Sequence, residues 1–138
     1  MEQVELVFLS KDEVKRIHAE TLPQSGTADD GRLDGAVNRV MNLHHYHEIN
    51  DIYTLAAMYL IGVAKAHAFH DGNKRTAFQA ASIFLMMNGS ELSSSLSLVK
   101  LTVFAAMGAA SLEETTFALK ILSDYDNDLL NDYEEEYL

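Results

Sequence analysis

Within eleven residues, His67 to Ala77, the chain reads HAFHDGNKRTA: two histidines, an acid, a glycine, an amide and two adjacent cations. Apolar runs flank it on both sides, LAAMYLIGVA before and FQAASIFLMMNG after. A hydrophobic core has no use for such an interruption, but a phosphate site does. If a helix begins near Asn73, its first turn exposes free N–H groups and a partial positive charge, which attract anions. Gly72 lets the backbone approach a ligand closely. Asn73, Lys74 and Arg75 add N–H groups, an amide and two cations; Arg75 can grip phosphate oxygens bidentately while Lys74 acts as a point charge. Asp71 is the hard oxygen ligand that a magnesium ion beside phosphates requires. His67, four residues earlier, is of the residue type that most often takes a proton from a hydroxyl near neutral pH. Lys65 is a further candidate for phosphate or target contact.

Taken singly, each of these residues is more often structural: Asp-Gly is a common turn pair, and exposed cations are usually solvated. As a set they are not. Seven specified positions match by chance on the order of one time in a billion at about 5% usage per residue.

The elements that would position this set follow from apolar periodicity. The segment VELVFL, residues 4–9, is short and reads as a strand. Ser10 with Glu13 forms a capping box that opens a helix carrying Val14 and Ile17, and Pro23 closes it. PQSGTADDG is a loop of turn formers. Leu33, Ala36, Val37, Val40 and Met41 recur at the spacing of an amphipathic helix. Residues 52–69 are apolar nearly all round and predict a buried central helix. A second buried helix is expected over 73–88, ended by Gly89. GSELSSS reads as a loop or a second short strand. Leu96 to Met107 predicts another helix, and the capping box of Ser111 and Glu114 starts a last one that runs to about residue 123. The expectation is a mainly α single domain over 1–138, with its core at about 10–123. It has a central pair of buried helices, one short β-hairpin or strand pair, and an acidic extension over 124–138.

Composition narrows the function. The chain has 138 residues, no cysteine and a formal net charge of −11, which disfavours direct nucleic-acid binding. Seven of the 21 acids lie in residues 124–138; without them, 14 acids face 10 bases, a balance of −4. In so acidic a body the cluster of Lys65, Lys74 and Arg75 marks an anion site. No apolar run approaches the roughly 20 residues of a membrane span. The start lacks a signal-peptide pattern, and a cytoplasmic location is expected. His44, His45 and His47 near Glu48 match no tight zinc spacing. His18 reads as a helix-face residue.

HAFHDGNKR resembles the Fic/Doc motif HxFx(D/E)GN(G/K)R. Its flanks are similar to Doc-type (death-on-curing) proteins, over roughly Thr21 to Ser123. The resemblance implies transfer of part of a nucleotide to a protein hydroxyl. It makes His67 the base, Asp71 the magnesium ligand, Gly72, Asn73 and Lys74 the anion nest, Arg75 a phosphate ligand, and Phe69 the packing residue that sets the loop. Ala68 replaces the common proline at a position without chemistry. AMP-transferring Fic proteins usually carry glycine where Lys74 stands, and a second arginine where Phe78 stands. The pattern here is that of Doc, which implies a kinase that moves the γ-phosphate of ATP. The resemblance further implies elongation factor Tu as the target, arrest of translation, and a Phd-type antitoxin that covers the site. No glutamate is followed by glycine or asparagine, so the self-inhibitory (S/T)xxxE(G/N) helix of some Fic proteins is missing. AMP or other nucleotidyl transfer, and an idle binding module, stand as alternatives.

Overall fold

The computed structural model describes residues 5–23, 28–92 and 96–123. They form six helices: α1 Lys11–Thr21, α2 Asp30–His45, α3 Ile52–Ala66, α4 Asn73–Met87, α5 Leu96–Ala106 and α6 Leu112–Leu122. The acidic extension, residues 124–138, lies outside the described residues.

Both capping boxes form. Ser10 accepts from the Glu13 N–H and Glu13 reaches back to the Ser10 N–H; Ser111 and Glu114 repeat the exchange at α6. Those hydrogen bonds hold the Glu114 carboxyl below the usual range, the Ser111 N–H contributing most and its hydroxyl next. Asp29 caps α2 and Asp51 caps α3.

Helix α3 is the hub and touches α2, α4, α5 and α6. Its buried residues, among them Leu55, Ala57, Tyr59, Leu60 and Val63, cover most of the helix surface. They leave a stripe of Thr54, Met58, Ile61 and Lys65 that is partly buried or exposed, so the wide apolar face expected of a central helix is present. Its closest partner is α4, whose Ala77, Ala80, Ala81, Phe84 and Leu85 are buried with it in one core. The short alanine side chains let the two helices pack closely, and Phe84 fills the remaining space against Tyr59, ring centroids 5.1 Å apart. These are the two central helices expected from the sequence.

Two expectations need correction. Among the described residues there is no strand or hairpin, only an isolated antiparallel bridge between Leu92 and Ser123. Residue 4 of the expected first strand and residues 93–95 of the second fall outside the described residues. Residues 5–9 of the first segment take no regular secondary structure, and side chains pair with its backbone at Val7 and Leu9. The Val7 N–H donates to Asn88 Oδ1 at 2.9 Å, and Asn88 Nδ2 donates to the Val7 carbonyl at 2.8 Å. Tyr59 does the same for Leu9: its hydroxyl accepts the Leu9 N–H at 2.8 Å and donates to the Leu9 carbonyl at 2.9 Å. Helix α3 also stops at Ala66, three residues short of the expected end. His67 takes a left-handed conformation, φ 49° and ψ 42°, and such a residue ends a helix.

Candidate active site

Residues 67–72 form the short link between α3 and α4, so the chemistry-bearing residues sit at one end of the central helix pair. Three helices hold this link: α2 at His67 and Ala68, α1 at Phe69 and Asp71, and the first residue of α4 at Phe69. The Ala68 carbonyl accepts from the Asp29 N–H, the N-cap of α2, at 2.6 Å. The His67 carbonyl faces Arg32 Nη1 at 3.4 Å, and Arg32 Nε in turn lies 3.5 Å from the Asp29 carboxylate. Phe69 is 5% exposed and stacks on His18 of α1, centroids 3.8 Å apart and planes within 10°. His18 Nε2 donates to the Asp71 carbonyl at 2.8 Å. Asn73 pairs with both backbone groups of Phe69.

Gly72 is the N-cap of α4, with φ at +78°. A Cβ there would also run into Leu22 Cδ1. Glycine is therefore required twice, for the left-handed turn and for the close approach. Alone among the five N-caps Ser10, Asp29, Asp51, Gly72 and Ser111, it offers no side-chain cap to its helix. The first-turn donors of α4 are left for a ligand.

That helix end opens into a cleft of about 310 Å³ lined by Ala64, His67, His70, Asp71, Gly72, Asn73, Lys74 and Arg75. The fold thus brings together every residue of the expected set except Lys65. That lysine is exposed, and its ammonium lies against Gly108 in the turn after α5. His67, Asp71, Lys74 and Arg75 are all exposed. Two roles are narrower than the sequence suggests. The Asn73 amide is committed to the loop, so its remaining contribution to an anion is its backbone N–H. Asp71 Oδ1 accepts the Gly72 N–H at 2.8 Å, which orients the carboxylate. Arg75 also lines a second cleft of about 530 Å³ between α1 and α4, with Thr21 and Gln79, themselves hydrogen-bonded at 2.6 Å.

The donor chemistry suits a magnesium nucleotide: one hard carboxylate, an uncapped helix N-terminus and two cations around one cleft. Among the described residues no three acidic, histidine or cysteine side chains converge on a point. An ion held by Asp71 would therefore take most of its ligands from phosphates and water, as magnesium commonly does.

Sequence reasoning missed His18 and Arg32. His18 is 3% exposed. Its only sequence signal was a histidine on the apolar face of α1, one residue after Ile17, and nothing local told what it would meet across 53 residues. Arg32 had no signal beyond its place in the first turn of α2.

The sequence pattern of the Fic/DOC family matches residues 8–85, which takes in α1 as well as the motif. The protein kinase doc of Escherichia phage P1 is 39% identical over 97 residues, spanning 70% of this chain and 77% of that protein. With α1 to α4 packed around the HxFxDGNKR loop, and with these two matches, the chain belongs to the Fic/Doc family.

Proposed function

We propose that the chain is a Doc-type protein kinase and the toxin of a toxin–antitoxin pair, acting in the cytoplasm. It transfers the γ-phosphate of ATP to a hydroxyl of a protein target, elongation factor Tu being the expected one, and so arrests translation. The observation that carries this reading is the uncapped N-terminus of α4, opening into a cleft lined by His67, Asp71, Lys74 and Arg75. The phage P1 relative, a protein kinase by name, supports the choice of transferred group.

On this reading His67 accepts the proton of the target hydroxyl. The hydroxyl oxygen bonds to the γ-phosphorus as the bond to the β,γ-bridging oxygen breaks, and ADP leaves with that electron pair. The N–H groups of α4 and the side chains of Lys74 and Arg75 hold the phosphate oxygens in line and offset the charge that develops on them. Asp71 holds magnesium, which neutralises phosphate charge when bound. Phe78, where AMP-transferring relatives carry an arginine, packs against the core and supplies no clamp for that alternative. Lys65 is assigned to contact with the target rather than with phosphate, since it lies outside the cleft. A Phd-type antitoxin chain covers the cleft by bringing acidic groups to Lys74 and Arg75.

ATP labelled at the α or the γ position, incubated with the chain, magnesium and elongation factor Tu, tests the reading. Label should reach protein from the γ position. Label arriving from the α position alone would replace the kinase by a nucleotidyl transferase. No transfer to any protein in a bacterial extract would leave the idle binding module.

A further inference from the structure

One peptide unit in the motif loop, the link between Asp71 and Gly72, is held at both ends. Its carbonyl accepts from His18 Nε2 at 2.8 Å, and its N–H donates to the Asp71 side chain at 2.8 Å. A carbonyl oxygen only accepts, so His18 Nε2 carries the proton. The ring that brings this donor is itself wedged. One face stacks on Phe69, and Nε2 and Cδ2 would lie 3.6 Å from a Cβ at Gly72.

The double restraint matters because this peptide is the easiest in the loop to turn over. Glycine populates both signs of φ, so a flip at Asp71–Gly72 meets no side-chain barrier on the Gly72 side. A flip would swing the N–H away from Asp71 Oδ1 and release the carboxylate from its anchor. The Asp71 hydrogen bond to its neighbour cannot prevent this alone, because carboxylate and peptide can turn together. The His18 donor comes from α1, a separate element packed on α4, and so refers the peptide to the frame of the protein.

We propose that His18 is a positioning residue for the reaction: its Nε2–H locks the Asp71–Gly72 peptide against rotation and thereby sets where the Asp71 carboxylate stands. The proposal rests on the assignment of Asp71 as the magnesium ligand. It differs from a packing role in depending on the donor rather than on the ring.

The full chain separates the two roles. His18→Phe keeps a ring to stack on Phe69 and loses the donor; His18→Leu is a second donor-free variant; His18→Gln keeps an N–H near the Nε2 position without the ring. Losing one hydrogen bond of ordinary worth corresponds to about a 3- to 10-fold change. In His18→Phe and His18→Leu the Gly72 amide should exchange with solvent faster by about that factor, read by NMR. The magnesium concentration for half-maximal binding of a fluorescent ATP analogue should rise similarly, with saturating magnesium restoring full binding. His18→Gln should stay within about 2-fold of the parent on both measures. The proposal is overturned if a folded donor-free variant matches the parent on both, or if His18→Gln is impaired as much as His18→Phe. Should the parent itself bind the nucleotide without any need of magnesium, the functional reading fails there, and Gly72 exchange alone decides whether His18 locks the loop.

Discussion

Asn73 closes on Phe69 with both ends of its amide: Oδ1 accepts the Phe69 N–H at 3.1 Å, and Nδ2 donates to the Phe69 carbonyl at 2.9 Å. A four-residue loop is thereby fastened to the first residue of α4. Only an asparagine-type amide offers a donor and an acceptor at this reach. Asn73→Ala should lower stability by about 1–3 kcal/mol, for two hydrogen bonds at a partly buried position. Asn73→Asp should do no better near neutral pH, since a carboxylate against the Phe69 carbonyl offers no donor. Urea midpoints of the three proteins check this; an unchanged Asn73→Ala midpoint would remove the clasp from the account.

Gly72→Ala meets two separate obstacles, the positive φ and the Leu22 side chain. The expected cost is about 2–4 kcal/mol, combining roughly 1–2 from the left-handed conformation with overpacking of similar size. Adding Leu22→Ala should relieve the contact between the two side chains and leave the conformational part. A double-mutant cycle on thermal unfolding reads the coupling, which should be favourable by at least about 1 kcal/mol.

His67 is a non-glycine residue held at positive φ, a conformation that costs about 1–2 kcal/mol and is kept where function needs it. His67→Gly should therefore leave stability equal or raise it by up to about 1 kcal/mol. The same change should cut phosphoryl transfer by roughly 10²- to 10⁴-fold, the usual worth of a positioned base. A folded His67→Gly protein that transfers at the parent rate would show that the base lies elsewhere.

Burial pushes the Tyr59 hydroxyl up to about 12, against a lesser opposing pull from its hydrogen bond with Leu9. The unfolded chain ionises this group near 10. Below the unfolded value both states are neutral and the full stability is present. Between about pH 10 and 12 the unfolded state alone loses the proton, so stability falls as pH rises, by about 2–3 kcal/mol in all. Tyr59→Phe should lower stability at pH 8, because the buried Leu9 backbone groups lose their partner. It should also flatten the alkaline decline relative to the parent. Urea midpoints at pH 8, 10 and 11 test both; parallel curves would count against the burial argument.

The sequence alone determined those features whose physics is local. Helix starts at Ser10 and Ser111 were readable because a capping box closes within four residues. The buried pair α3 and α4 was readable because α3 is apolar nearly all round and α4 carries a wide apolar face, and such surface has to be covered. The motif was readable because its chemistry is packed into His67–Arg75, and the turn after Phe69 brings those residues into one cleft whatever surrounds them. Tertiary structure decided what comes from far along the chain. The segment before Ser10 has strand-like residues, yet Asn88 and Tyr59 supply its partners. Their side chains reach it across 81 and 50 residues, and no local pattern can reveal that. Lys65 is two residues from His67, yet residues two apart on a helix do not face each other, and the packing of the turn after α5 leaves the lysine beside Gly108. His18 becomes part of the motif loop only because α1 packs on α4, setting its ring between Phe69 and Gly72 and its donor on the Asp71 carbonyl.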